Sequence, residues 1–195
     1  MSYDHRKVIE DLVSRCDLKS GEVFIDLGAN LGQELEVLAP MGVEVHSFEP
    51  HPELFKVIEK TYGSYSNVSL HQAAAWVCND YRCLFFKNSK QQVNGGATLV
   101  GEKTNINTNL NERVRCVDIA EYILSLSKPI KVLKIDVEGS EYDLLEHLLN
   151  KEVLSDVEFI YCEDHSRKCL HPEWVEKKAK VLEELRNNNI TIYPW

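Results

Sequence analysis

Residues 23–32 of the chain read VFIDLGANLG, and this stretch decides the fold. A short apolar run such as VFIDL is typical of a buried strand, and the glycines behind it allow a tight turn into a helix. Asp26 stands near the end of the strand, where open α/β sheets bind their ligands. The N-terminus of the following helix favours a carboxylate or a phosphate. The stretch therefore predicts a ligand site at the carboxyl edge of a parallel sheet.

On both sides of this stretch, strand-like runs alternate with segments of helical periodicity. This order predicts a single α/β domain over residues 1–195, with a mostly parallel sheet and helices on both faces. The predicted strands are residues 23–27, 43–48, 68–74, 81–86, 114–117, 130–137, 159–162 and 190–193. The predicted helices are residues 4–18, 31–38, 52–62, 119–126, 138–149 and a segment that ends at 186. The polar stretch 88–112 is predicted to be a substrate loop, because it holds little that could pack.

Composition excludes some partners. The chain has 22 Lys and Arg against 31 Asp and Glu, which gives a formal net charge of -9. Binding to nucleic acid or to anionic lipid needs clustered positive charge, so we expect neither partner. No apolar run approaches the roughly 20 residues that cross a bilayer, and the N-terminus does not look like a secretory signal. Six scattered cysteines favour free thiols and a cytoplasmic location.

Glu49 ends the second predicted strand. It follows Asp26 at about the separation at which nucleotide-binding folds place the carboxylate that binds ribose hydroxyls. A carboxylate at Asp26, which suits an ammonium group, and a helix N-terminus, which suits a carboxylate, together fit the amino-acid end of S-adenosylmethionine. The glycine spacing G-x-x-x-G differs from the G-x-G-x-x-G of dinucleotide sites, which disfavours an NAD-dependent oxidoreductase.

Two further strand ends carry charged side chains. Residues 134–141 read KIDVEGSE, and strand alternation places Lys134, Asp136 and Glu138 on the same side. Burying two carboxylates and an amine is costly unless they pair with each other or bind a ligand. His165 follows the strand at 159–162, and histidine is well suited to accept a proton near neutral pH.

Three motifs, at residues 24–32 (FIDLGANLG), 48–52 (FEPHP) and 133–141 (LKIDVEGSE), together resemble the FkbM-like methyltransferases. The resemblance extends over roughly residues 22–193, and residues 94–99 (NGGATL) look like that family's loop over the active site. It implies a Rossmann-like class I methyltransferase fold with S-adenosyl-L-methionine as the cofactor. It also implies an O-methyltransferase that acts on a hydroxyl of a small molecule, such as a sugar, a glycan or a polyketide.

The resemblance also implies roles for individual residues. Those implied to bind the methionine end of the cofactor are Asp26, Gly28, Asn30 and Gly32. Those implied to border the ribose and the adenine are Glu49, Pro50, Gln72 and Ala74. Asp136 is implied to lie near the reactive methyl group.

For methyl transfer, a base must remove the proton of the acceptor hydroxyl, and our hypothesis makes His165 or Asp136 that base. Lys134 and Glu138 would orient the substrate or tune the base through charge pairing. We expect Asn94 and Thr98, in the polar stretch, to donate or accept hydrogen bonds with substrate hydroxyls.

Other readings stay open at this point. Asp136 and Glu138 offer oxygen ligands that suit Mg²⁺ or Mn²⁺, although no metal is favoured. A cluster formed by Cys162, His165, Cys169 and His171 would suit zinc in a structural module, but its spacing is atypical. A nucleic-acid N-methyltransferase is disfavoured because Val137 and Glu138, not a Pro-Pro pair, follow Asp136. The aromatic C-terminus suggests a domain of a longer protein, docking on a partner, or a homodimer.

Overall fold

The computed structural model describes residues 5–89, 96–169 and 172–195. Within them the helices are α1 (His5–Cys16), α2 (Gln33–Leu38), α3 (Pro52–Tyr62), α4 (Ile119–Leu126), α5 (Glu141–Asn150) and α6 (Pro172–Asn187). The strands are β1 (Val23–Leu27), β2 (Glu44–Phe48), β3 (Val68–His71), β4 (Ala74–Trp76), β5 (Asp80–Phe86), β6 (Asn107–Asp118), β7 (Ile130–Ile135), β8 (Val157–Cys162) and β9 (Ile192–Pro194).

Six strands form the main sheet in the order β3-β2-β1-β7-β8-β9. Every neighbouring pair in this sheet is parallel. The chain adds strands on one side of β1 and then on the other, so the strand order reverses between β1 and β7. The predicted mostly parallel α/β sheet of Rossmann-like type is confirmed.

Strand β1 explains why both faces of this sheet carry helices. All five of its residues are buried. Alternate side chains point to opposite faces: Ile25 and Leu27 join the apolar cluster under α4, α5 and α6, and Phe24 joins the cluster under α1, α2 and α3. A strand with no polar face must be covered on both sides, as in other parallel sheets.

Two helix starts are capped as their sequences indicate. The imidazole Nδ1 of His51 accepts the N–H of Glu53, and Pro52 occupies the first turn of α3. The carboxylate of Asp118 accepts the N–H groups of Ala120 and Glu121 at the start of α4. The predicted bounds of both helices are confirmed.

A second, three-stranded sheet with the order β4-β6-β5 corrects the predictions for the middle of the chain. The predicted strand 68–74 is wrong as one strand, because the chain bends at Gln72 and Ala73 and passes from the main sheet to the second sheet. The predicted strand 114–117 is the end of the longer β6, so residues 107–112 of the predicted loop are paired with β5. The first half of β6 is largely exposed, which is why it shows no apolar alternation.

The strand predicted at 130–137 ends at Ile135, and the helix predicted at 138–149 begins at Glu141. Between them, Glu138 with φ 58° and Gly139 with φ 127° leave the strand and helix regions of backbone space. In the described residues, no helix combines the length and apolarity needed to cross a membrane.

Candidate active site

The candidate active site lies at the carboxyl ends of β1 and β7, where the strand order reverses. Gly28 follows β1 with φ 98°, and a Cβ atom added to it would lie 1.9 Å from the carbonyl oxygen of Asp136. Asp136 donates its backbone N–H to the carbonyl of Leu27 at 2.9 Å. Only glycine fits at position 28, because any side chain there would push apart the turns that follow β1 and β7.

A first cavity opens beside these turns and has about 620 Å³ of empty space, part of it open to solvent. Its apolar wall is formed by Phe48, Leu54, Ala75 and Leu84. Two of these residues lie on β4 and β5, so the second sheet supplies one side of the cavity.

A second cavity, of about 690 Å³, lies next to the first and has a charged wall that includes Lys134 and Glu34. Gly28, Asn30 and Asp136 belong to the walls of both cavities. A ligand with one apolar end and one charged end can therefore lie across their shared edge.

Glu49 follows β2 in the wall of the first cavity and is 6% exposed. Its Oε2 accepts the N–H of Asn30 and its Oε1 accepts the N–H of His51, each at 2.8 Å. Asn30 adopts φ 51°, a conformation that Asn tolerates better than most residues. Burial raises the pKa of Glu49 to about 7, although the two N–H donors oppose that shift. The carboxylate is thus held in one orientation.

Lys134 on β7 is the centre of a buried charge cluster. Its Nζ lies 3.0 Å from Oδ1 of Asp26, 3.0 Å from Oε1 of Glu34 and 3.8 Å from Oδ2 of Asp136. Burial alone would lower the pKa of Lys134, but these carboxylates raise it above its ordinary value. Burial raises the pKa of Glu34 to about 7 against the attraction of Lys134. Among the described residues, Oε2 of Glu34 is buried and has no hydrogen-bond partner.

His165 follows β8 and is surrounded by carboxylates. Its Nδ1 lies 2.9 Å from Oε1 of Glu141, a fully buried group that also accepts the N–H of Gly139. Its Nε2 lies 3.3 Å from a carboxylate oxygen of Glu138 and 3.3 Å from one of Glu163. Burial lowers the pKa of His165, but Glu141 and the other two carboxylates outweigh burial and raise it above its ordinary value.

The two carboxylates that follow β7 have different environments. Glu138 pairs with the ammonium of Lys103, whose side chain is fully buried. Burial would raise the pKa of Glu138, but Lys103 lowers it below its ordinary value. Burial raises the pKa of Asp136 to about 6. Glu138 is therefore held ionised, whereas Asp136 accepts a proton more readily.

Most of the predicted site residues meet at the two cavities. The predicted cofactor-binding residues in the wall of the first cavity are Gly28, Asn30, Glu49, Pro50 and Ala74. The predicted catalytic and substrate residues in that wall are Asp136, Glu138 and Thr98. Lys134 lines the second cavity. Their chemical roles stay predictions.

Asp26 and Gly32 lie outside both walls. Asp26 is fully buried: its Oδ1 lies 3.0 Å from Nζ of Lys134, and its second oxygen accepts the hydroxyl of Ser47 at 3.1 Å. A Cβ atom at Gly32 would lie 2.8 Å from the ring of Tyr62, so this glycine lets α2 pack against α3. The predicted contact of these two residues with a cofactor stays a prediction.

Three other predicted residues are not brought to the walls either. Gln72 is exposed at the bend between the two sheets. His165 is 2% exposed, and its Nε2 lies 3.3 Å from a carboxylate oxygen of Glu138 and of Glu163, so its role as the base stays a prediction. Asn94 lies outside the described residues.

The cysteine cluster is not a metal site in the described part of the chain. The thiol of Cys162 donates to the carbonyl of Glu163, and that of Cys169 to the carbonyl of His165. His171 lies outside the described residues. Within residues 5–89, 96–169 and 172–195, side chains with metal-ligand geometry occur together at Asp136, Glu163 and His165, without a thiol.

Sequence reasoning missed Glu34, Lys103 and Glu141. Glu141 stands inside the KIDVEGSE motif, so its motif position was a usable signal. Glu34 lies two residues after Gly32, on the first turn of α2, where an acidic residue usually interacts favourably with the helix dipole. Lys103 stands in a polar stretch that carries no periodic pattern.

A parallel sheet covered on both faces, with a cleft where the strand order reverses, defines a Rossmann-like α/β domain with its ligand site at the strand ends. Comparison with family models identifies the particular family. The methyltransferase FkbM domain matches residues 26–189, so the chain belongs to the FkbM methyltransferase family. Neither the curated proteins nor the solved structures contain a match to this chain.

Proposed function

We propose that this methyltransferase transfers a methyl group from S-adenosylmethionine to a hydroxyl of a small molecule, namely a sugar or a glycan. The observation that carries the proposal is the meeting of an apolar cavity and a charged cavity at Gly28 and Asp136. S-Adenosylmethionine has a nucleoside at one end, an amino-acid group at the other and a sulfonium between them. This order of chemical groups matches the order of the two cavities.

The first cavity suits the adenosine half. Its apolar wall can cover the faces of a base, as most ligand pockets do. Glu49 is the residue proposed to bind the ribose. Each of its oxygens accepts one backbone N–H, and a carboxylate oxygen has two acceptor sites, so both oxygens can still accept a ribose hydroxyl.

The second cavity suits the amino-acid half. The buried ammonium of Lys134, with Asp26 as the positioning residue beneath it, is proposed to supply the positive charge that attracts the cofactor carboxylate. Oε2 of Glu34 is buried and unpartnered among the described residues, so a bound ammonium group would satisfy it. Glu34 thereby takes the role that the sequence suggested for Asp26.

When bound, the cofactor supplies an electrophilic methyl group. The chain must then orient an acceptor oxygen and accept its proton, and a positioned base contributes roughly 10²–10⁴-fold to such a step. Asp136 is the proposed base because it lies in the walls of both cavities, where the two halves of a cofactor would join. Glu138 and Thr98 are proposed to orient the acceptor hydroxyls.

Calorimetric titration of two variants of α2, Glu34→Gln and Glu36→Gln, tests the cofactor assignment. Glu34 is buried, whereas Glu36 is exposed and pairs with Arg6. We expect Glu34→Gln to weaken binding of S-adenosylhomocysteine about tenfold, because a charged hydrogen bond is lost. Binding of methylthioadenosine, which lacks the amino-acid group, should change less than about twofold, and Glu36→Gln should affect neither ligand.

Failure would take two forms. If the unmodified chain does not bind S-adenosylhomocysteine, the cofactor assignment is wrong. If Glu34→Gln weakens both ligands equally, Glu34 acts through the fold and does not bind the ammonium group.

A separate assay tests the acceptor. The chain is incubated with cofactor carrying a labelled methyl group and with monosaccharides, oligosaccharides, a peptide mixture or single-stranded DNA. Label in the saccharides alone supports the proposal. Label in the peptides or the DNA alone would reject a sugar hydroxyl as the acceptor.

A further inference from the structure

We propose that Asp136, Glu163 and His165 form a binding site for one divalent transition-metal ion. One potential ligand atom from each residue lies within 4.8 Å of the other two. Metal ions in proteins lie about 2.0–2.6 Å from nitrogen and oxygen ligands, so a single ion can reach all three atoms. The three residues come from the turns after β7 and β8, which are adjacent in the main sheet.

The orientation of His165 is the second observation that supports this site. Its Nδ1 faces Glu141, which is fully buried and also accepts the N–H of Gly139 at 2.9 Å. When Nδ1–H donates to this carboxylate, the lone pair of Nε2 is directed to the other side of the ring, where carboxylate oxygens of Glu138 and Glu163 each lie 3.3 Å away. Histidines that bind metals are held in this way, with a carboxylate on the second ring nitrogen.

The balance of charge also favours a cation here. Glu138 has its own cation, Lys103. Asp136 has a weaker ion pair, because Nζ of Lys134 lies 3.8 Å from it but 3.0 Å from both Asp26 and Glu34. Carboxylates brought together at a partly buried site repel one another, and a divalent ion between Asp136 and Glu163 would remove that repulsion.

The ligand set indicates the kind of ion. Two carboxylates and one imidazole suit first-row ions such as Mn²⁺ or Fe²⁺, whereas Mg²⁺ prefers oxygen ligands alone and structural zinc prefers thiolates. Three protein ligands leave coordination positions open for other oxygens. We use Mn²⁺ as the probe, because it binds such mixed sites and is detected directly by electron paramagnetic resonance.

The catalytic meaning of this site rests on the proposed function, although metal binding does not. Asp136 lies in the walls of both cavities, so the ion would lie where the acceptor hydroxyl meets the methyl donor. An ion bound to that oxygen would lower the pKa of the hydroxyl. Asp136 would accept the proton of the hydroxyl as the oxygen–carbon bond forms and the carbon–sulfur bond of the methyl donor breaks, which would leave a neutral thioether. A sugar diol can bind the ion through two neighbouring oxygens.

Metal-free protein titrated with Mn²⁺ alone tests the site. We expect one Mn²⁺ per chain, and we expect Glu163→Gln to weaken its binding at least about tenfold, as loss of a ligand does. Glu163 is 44% exposed, so this variant should fold normally. The matched control is Asp164→Asn. Its carboxylate, one position further on, pairs with Lys178, and the affinity should change less than about twofold.

A spectroscopic readout distinguishes this site from ions scattered over an acidic surface. Pulsed resonance of bound Mn²⁺ should show coupling to one imidazole nitrogen, and His165→Gln should abolish that coupling. Absence of Mn²⁺ binding, equal weakening by Glu163→Gln and Asp164→Asn, or bound Mn²⁺ without nitrogen coupling would each overturn the proposal. S-adenosylhomocysteine is titrated into the same samples, so loss of metal binding with intact cofactor binding rejects the metal site alone.

Discussion

Two regions of the molecule hold buried or half-buried histidines with opposite electrostatics. Near the strand ends, His165 lies among the carboxylates of Glu138, Glu141 and Glu163. Beside β2 and β3, the rings of His46 and His71 share the hydroxyl of Tyr122 from α4. Both nitrogen–oxygen distances there are 2.7 Å. We call the first region the carboxylate cluster and the second the neutral cluster, the latter defined by His46, His71 and Tyr122.

The difference between the regions comes from their neighbours and not from burial. Burial lowers the pKa of His71 to about 4 and also lowers that of His46. Glu44 contacts His46 but is shared with Lys128, so its attraction does not outweigh burial. At His165 several carboxylates do outweigh burial. The neutral cluster can therefore contribute to packing, whereas the carboxylate cluster can bind cations and protons.

The largest effect is expected for chemistry at Asp136, next to the carboxylate cluster. Asp136→Asn keeps the shape of the side chain but removes the proposed base, so turnover should fall about 10³-fold. Tyr122→Phe in the neutral cluster should leave turnover within about twofold, because Tyr122 lines neither cavity. Initial rates with a labelled methyl donor measure both. Similar losses for the two variants would show that Asp136 acts through the fold.

A smaller effect is expected for stability. His165→Ala removes the imidazole from the buried carboxylate of Glu141 and leaves it the N–H of Gly139, which should lower the free energy of unfolding by about 3 kcal/mol. His71→Ala should cost only about 1–2 kcal/mol, because it removes neutral contacts. Urea denaturation with a chelator present measures both. Adding Glu141→Gln to His165→Ala should recover part of the loss, and a cost for His71→Ala equal to that for His165→Ala would contradict the comparison.

The smallest effect is expected for the pH dependence of stability. In the unfolded chain, histidines titrate near a pKa of about 6.5, above the lowered pKa values of His46 and His71 in the folded protein. The unfolded chain therefore binds protons more tightly. Stability that is present above pH 6.5 is lost as the pH falls toward 4. Solvent reaches part of the His71 ring, so we expect a loss of about 1 kcal/mol from this histidine.

The variant His71→Gln isolates this effect, because the carboxylates titrate alike in both proteins. Its stability should decline less than that of the unmodified chain between pH 6.5 and pH 4.5, as measured by denaturation at each pH. Parallel curves for the two proteins would show that His71 is not held neutral.

The sequence predicts much of the main sheet, because its strands carry their signal locally. All five residues of β1 are buried, so the pattern VFIDL ends where the strand ends. The break after β3 was not predictable, since the apolar residues continue through Ala74 to Trp76 while the chain changes sheets. The first half of β6 was not predictable either, because a largely exposed strand need not alternate.

For the candidate site, the sequence indicates the placement of residues where motif position determines geometry, and it gives no signal where partners are remote in sequence. Gly28, Glu49 and Asp136 follow strands, so their meeting at one edge follows from the parallel order. Lys103 contacts Glu138 across 35 positions of the chain, and no local pattern indicates that pair. The burial of Asp26 beneath Lys134 depends on a neighbouring strand 108 positions away.

The second sheet forms one wall of the first cavity, so a ligand in that cavity should oppose local unfolding of the second sheet. Ala75 and Leu84 stand on β4 and β5, opposite Phe48 of the main sheet. A molecule held between them binds only when the second sheet is folded, so its free energy of binding adds to the free energy of local unfolding of that sheet. Amide hydrogens of β5 and β6 should then exchange with solvent more slowly in the bound protein, including those far from the ligand. The exchange rate of the small sheet would thereby report whether the first cavity is occupied.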